Sequence, residues 1–291
     1  MKNIIVKIYN IIIQLIIKNY FDLIAAKQHR SFDVMSAVLL WMLSYAENNF
    51  KDFTIKNKNV LEIGSGKFFV HPTVFKLLGA KKVISIDKYM QLSSKAMKVS
   101  FENSIISKKL LSRHIQHDEY LEFMKKIEET KYQFNRLEEL GIQYIAPVNT
   151  IQFCRDNKEK FDIVFSYTVL EHVLEKEIID LVDASLFAVS KGGFVLHFID
   201  LEDHQDPKNK PINFLTKNEW SGLLSNKRGN RLRFSDWSKV FLKYNNFDFI
   251  FPYRVTRNDF EIPSGIINKF LKYSEEDLRI TGFVVVGRRK Y

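Results

Sequence analysis

Glu62, Gly64, Gly66 and Asp87 carry the first chemistry legible in this chain. Val60, Leu61 and Ile63 make a short apolar run that reads as a strand covered on both faces. Gly64 and Gly66 then stand where the chain must turn sharply and let backbone approach a ligand. A β-carbon at either place would obstruct one or the other. A helical pattern follows, so the turn directs free backbone N–H groups at a polar or anionic ligand. Glu62 places a carboxylate inside the strand end, where burial requires a reason. A second strand, Lys82–Ile86, ends in Asp87. An acid there accepts hydrogen bonds from a ribose diol. A dinucleotide-binding turn would carry a third glycine, and Phe68 and Phe69 occupy that place.

The spacing Glu62-x-Gly64-x-Gly66, with Asp87 after the next strand, resembles the class I S-adenosylmethionine-dependent methyltransferases. The likeness covers residues 31–291. It implies a Rossmann-like, seven-stranded, mostly parallel sheet with an antiparallel final strand. It also implies N-terminal helices that cap the core. S-adenosylmethionine is then the cofactor, held by Glu62, Gly64, Ser65, Gly66, Asp87 and Lys88. Asn149 and Thr150 stand where the family places a group against the adenine, and Asn149 can accept through its amide oxygen. Ser166 ends the fourth strand on the same side.

The elements that must position these groups follow an alternating strand and helix pattern, which predicts a parallel sheet with helices on both faces. A helix is expected over residues 31–50 and another over 71–78, ended by Gly79. Further strands are expected at residues 143–148, within 161–173, and at 193–200, 247–255 and 280–288. Residues 88–141 exceed one crossover connection and read as a helical insertion over about residues 90–140. The expected organisation is an N-terminal helical segment, residues 1–50, and a methyltransferase domain, residues 51–291. His114, His117, Asp118 and Glu119 lie in the insertion and read as a solvated helix face rather than a metal site.

Composition narrows the class. The 291 residues are 46% hydrophobic and 27% charged, as in a folded soluble protein. A single cysteine, Cys154, excludes an internal disulfide framework and points to a reducing, cytoplasmic setting. The net charge of +10 suits an acidic partner, but no dense basic block with interleaved aromatics is present. No specific nucleic-acid partner is expected, and the Asn/Asp-Pro-Pro-aromatic signature of base methylation is absent. Residues 1–20 are apolar with a polar stripe at helical spacing, too interrupted for a spanning helix. They suit packing against protein or peripheral contact at the inner face of a membrane. An oligomer is compatible with either.

The second chemical signal lies further along. Val169-Leu170-Glu171-His172, the segment from His197 to His204, and Asn230-Arg231-Leu232-Arg233 with Ser235-Asp236 together look like a subgroup of bacterial surface-polysaccharide gene clusters. The resemblance implies O-methylation of a sugar or glycan intermediate. A hydroxyl nucleophile needs a positioned base, and histidine suits best. The candidates are His204, with Asp203 or Asp200 as orienting partner, and His172. His197, Asp200, Arg231 and Arg233 are the expected acceptor-binding residues, the arginines through charge-assisted bonds to a phosphate or carboxylate. Methylation of a lipid or small metabolite at a membrane surface, and a non-catalytic cofactor-binding module, remain alternatives. No metal is expected, although His197, Asp200, Asp203 and His204 have the donor atoms for one.

Overall fold

A computed structural model describes residues 24–102, 105–112, 114–203, 211–216 and 229–291. The expectation for residues 1–20 and the one for His204 fall outside these residues. The strands are β1 (Asn59–Ile63), β2 (Lys82–Ile86), β3 (Ile142–Ile145), β4 (Phe161–Tyr167), β5 (Val189–Asp200), β6 (Phe247–Thr256) and β7 (Ile280–Arg289). They form one seven-stranded sheet in the order β3-β2-β1-β4-β5-β7-β6. β1 with β4, β2 with β3 and β4 with β5 pair in parallel, while β7 runs antiparallel to both β5 and β6. This is the Rossmann-like sheet with the antiparallel ending that the resemblance implies. Val60, Leu61, Val164, Phe165, Val195, Leu196 and Val284–Val286 are fully buried, as central strands covered on both faces require.

The helices of the described residues are α1 (Phe32–Asn49), α2 (Val70–Leu77), α3 (Ser94–Phe101), α4 (Ile105–Leu111), α5 (His117–Glu129), α6 (Thr150–Asp156), α7 (Glu175–Ala188), α8 (Phe234–Leu242) and α9 (Glu275–Arg279). The helical insertion is therefore α3, α4, α5 and a 3-10 turn at Phe134–Leu140. On α5 only Tyr120 and Ile127 are buried, and His117, Asp118 and Glu119 face solvent, as does His114. Among the described residues no group of His, Cys, Asp and Glu is arranged to hold a metal ion. No helix among them is long and apolar enough to cross a membrane.

Several boundaries differ from expectation for local reasons. β3 ends at Ile145, ahead of Pro147, which cannot donate to a ladder. β5 starts at Val189 because Gly192, with φ +72°, allows the register to shift between Phe161↔Val189 and Ile163↔Phe194. α8 begins at Phe234, with Arg233 as its N-cap residue. Asp236 accepts the Arg233 N–H from within the first turn, and the Ser235 N–H and hydroxyl both go to Asp277.

The chain divides into two compact units. One holds the described residues up to Trp41, Ile55–Asn57 and Ser65–Pro147. The other holds Met42–Thr54, Lys58–Gly64 and Val148–Tyr291. In the second unit, β7 lies between β5 and β6, and Gly287 leaves room for Phe249 and Val195. Phe249 is held between the rings of Phe241 and Phe247, each 5.3 Å away. Gly287→Ala should therefore overpack the sheet and cost about 1–3 kcal/mol. Urea unfolding tests this, and an unchanged midpoint would contradict the packing described.

Candidate functional site

In the first unit the glycine turn is fixed by an acid. Gly66 has φ +66°, a backbone that L side chains rarely adopt, and its N–H donates to Asp87 Oδ2 at 3.2 Å. Among the described residues, chain neighbours aside, no atom lies within 4 Å of where a β-carbon on Gly66 would stand, so the turn has an open side. Asp87, at the end of β2, also accepts from the Tyr144 hydroxyl at 2.9 Å, on the same Oδ2. That hydroxyl accepts in turn from the N–H groups of Gln91 and Leu92, at 3.0 and 3.3 Å. Ser65 Oγ is buried and has no hydrogen-bond partner among the described residues. Lys88 is exposed, its ammonium 6.0 Å from the Tyr89 ring centre. Where the third glycine is missing, Phe69 takes the left-handed backbone, φ 59°, and packs edge-on against Tyr144.

In the second unit β1 carries Glu62, buried near the strand end, and closes at Gly64, with φ +81°. A β-carbon on Gly64 would lie 2.5 Å from a Val169 methyl. Val169 opens the short turn Leu170–His172 that follows β4. Asn230 clamps this turn. Its side-chain amide donates to the carbonyls of Leu170 and Val173 at 2.9 and 3.0 Å, and its N–H donates to that of Glu171 at 3.1 Å. Gly229, φ +74°, presses so close to the Glu171 carbonyl that any side chain would collide.

The clamped turn forms one wall of a shallow cleft that Asp200, Glu202, Arg231 and Phe214 help to line. Glu171 is nearly buried, its side chain 7% exposed, whereas the His172 side chain is 39% exposed, with Nε2 3.7 Å from Glu171 Oε1. Asp200 accepts the Glu202 N–H at 2.9 Å. Burial, reinforced by Asp200, raises the Glu202 carboxyl above its ordinary range against the pull of Arg257, 3.0 Å away. Arg231 lies over the Phe270 ring, 5.7 Å from its centre. The cleft thus offers carboxylates to hydroxyl groups, one partly exposed imidazole for a proton, and a guanidinium for an anion.

Three expectations are corrected by burial and competing bonds. Arg233 cannot hold an acceptor's phosphate. It is 1% exposed and its guanidinium donates to the carbonyls of Leu201, Leu278 and Ile280. His197 is not an acceptor-binding residue, and Ser166 is not presented to a cofactor. Their side chains meet at 2.8 Å inside the sheet, where the parallel register sets the two residues side by side. Burial lowers the His197 pKa from 6.5 to about 3, so the ring is neutral. Asn149 is exposed, and its amide oxygen has one local partner. That oxygen accepts the Gln152 N–H at 3.1 Å and caps α6, of which Thr150 is the first residue. Asp203 is buried, with its N–H on the Pro211 carbonyl at 2.7 Å. Cys154 is buried, and its thiol pKa is raised to about 12.

Sequence reasoning missed Tyr144, Asn230 and Glu202, and gave Glu171 no role. Only Glu171 had a signal, as the neighbour of His172. The other three act through partners far along the chain.

No family model matches the sequence, and no curated protein matches it. Solved structures do. The chain is similar to a SAM-dependent methyltransferase from Archaeoglobus fulgidus at 12% identity, over 93% of this chain and 100% of that one, with a TM-score of 0.48. It is similar to the N-methyltransferase NodS from Bradyrhizobium japonicum WM9 at 12% identity, over 88% and 95%, with a TM-score of 0.41. An S-adenosylmethionine-dependent methyltransferase from Mesorhizobium loti gives 13% identity, 81% and 93% coverage, and a TM-score of 0.39. The functional reading rests on the geometry above.

Two outcomes follow. Arg233→Met leaves carbonyls without donors and should cost on the order of 3 kcal/mol, while Arg231→Ala should stay within about 0.5 kcal/mol of wild type. Denaturant unfolding separates them, and equal effects would contradict the distinction drawn between the arginines. His197 sets a pH dependence. Below 6.5 the unfolded chain takes up a proton that the folded ring refuses down to about 3. Stability therefore falls across that window as pH is lowered. His197→Gln lacks this component, so its unfolding midpoint should decline less steeply in acid than that of wild type.

Proposed function

We propose that this chain is an S-adenosylmethionine-dependent methyltransferase that O-methylates a sugar or glycan intermediate. The observation that carries the reading is the Asp87 carboxylate, held on one oxygen by Gly66 N–H and Tyr144 OH at the carboxyl end of β2. An acid fixed there suits a ribose diol. The buried Ser65 hydroxyl, without a partner among the described residues, and the open side of Gly66 fit a ligand lying against the turn. Glu62 and Lys88 are retained as proposed cofactor-binding residues. When bound, the sulfonium supplies an activated methyl group.

The chain's own residues then have to place a nucleophile and take its proton. His172, partly exposed in the cleft, accepts the proton of the acceptor hydroxyl, with Glu171 beside it to favour the resulting imidazolium. Asp200 and Glu202 accept hydrogen bonds from other hydroxyls of a sugar, and Arg231 meets a phosphate or carboxylate. Gly64 supports this arrangement, because the contact with Val169 ties the end of β1 to the turn that bears Glu171 and His172. His204 and Asp203 are retained as a second proposed base and its partner. Work in the cytoplasm on a lipid- or nucleotide-linked glycan, with residues 1–20 at a membrane surface, fits this reading.

The test is methyl transfer from labelled S-adenosylmethionine to hydroxyl-bearing glycan acceptors. His172→Gln should lower kcat about 10²- to 10⁴-fold and remove the acid limb of the pH profile. Full turnover in that variant would remove His172 as the base. Transfer confined to amine acceptors would overturn the O-methylation reading.

A further inference from the structure

Tyr144 lies on β3, remote in sequence from every residue it bonds. Its hydroxyl donates to Asp87 Oδ2 and accepts from the amides of Gln91 and Leu92, which uses its donor and two acceptor sites. Its ring is wedged edge-on against Phe69 and Phe134, with centres 5.6 and 6.1 Å away. One phenol thus joins the end of β2, the loop that follows it and the residue behind the glycine turn. The Lys67 carbonyl in that turn also accepts the Ser93 N–H at 3.3 Å, so the loop is held at both ends.

We propose that Tyr144 is a positioning residue, which sets the Asp87 carboxylate and the 88–92 loop for a ribose diol before any ligand arrives. The inference rests on the cofactor reading above. A hydroxyl that accepts two N–H bonds is polarised and donates more strongly to the carboxylate. Burial raises the phenol pKa to about 12, so the donor stays protonated at neutral pH. Both bonds to Asp87 fall on Oδ2, and a carboxylate accepts several more, so they orient the group without exhausting it. The ligand then meets an acid already aimed, and the ordering cost falls on folding rather than on binding.

Calorimetric titration with S-adenosylhomocysteine across wild type, Tyr144→Phe, Asp87→Ala and the double variant reads the coupling. Tyr144→Phe should weaken binding about tenfold. It should add little once Asp87 is gone. Equal losses in both backgrounds would overturn the proposal, since the phenol would then act only through general stability. Undiminished binding in Tyr144→Phe would overturn it too. A wild type that does not bind, or Asp87→Ala that binds as well as wild type, removes the cofactor reading and this inference with it. Phenylalanine keeps the ring contacts, so the variant should fold. Hydrogen exchange of the unliganded wild type is a second measurement that needs no variant. The Gln91 and Leu92 amides should already be protected, and exchange at the rate of an open loop would overturn the pre-set geometry.

Discussion

The contact between Gly64 and Val169 is the constraint on which the second unit's site depends. With φ +81° and a Val169 methyl 2.5 Å from any β-carbon, β1 can close beside β4 only through glycine. The same contact fixes where the Leu170–His172 turn begins. Gly229 and Asn230 then press on that turn from the other side and satisfy its carbonyls. Glu171 and His172 are held by backbone on both flanks, which is the condition for a side chain to keep a catalytic orientation.

The buried polar groups of the second unit build the far wall of the cleft. Arg233 draws together the carbonyl of Leu201, just after β5, and those of Leu278 and Ile280, at the junction of α9 and β7. Asp277 takes the Ser235 hydroxyl, and Asp236 takes the Tyr273 hydroxyl at 2.6 Å. A buried guanidinium is tolerated because so many acceptors surround it. Its sequence neighbour Arg231 lines the cleft, with its guanidinium over the Phe270 ring. Two arginines two residues apart therefore do different work, one inside the fold and one at its surface.

How far the sequence could be read follows from the range of each interaction. The β1 strand, the glycine turn and Asp87 were legible because apolar runs and turn glycines act locally. The antiparallel ending came from the family resemblance, since the apolar run Phe283–Val286 marks a buried strand but not its direction. The pairing of Ser166 with His197 was not, since it arises from the parallel register of β4 and β5 across 31 positions. Arg233 was misread because its acceptors lie 32 to 47 residues away. Asn149 is a different case. Asn at the start of a helix is a common cap, and Asn149 caps α6 with an oxygen that can accept a second bond. Tyr144 gave no sign at all, since nothing local marks a strand tyrosine as the partner of an acid 57 residues earlier.

The most direct test of the central claim is a crystal structure with S-adenosylhomocysteine bound. The account predicts the ribose hydroxyls within about 3 Å of Asp87. It also predicts the ligand against the open side of Gly66, with Tyr144 still bonded to the carboxylate. A ligand seated elsewhere, or one whose ribose leaves Asp87 untouched, would contradict it.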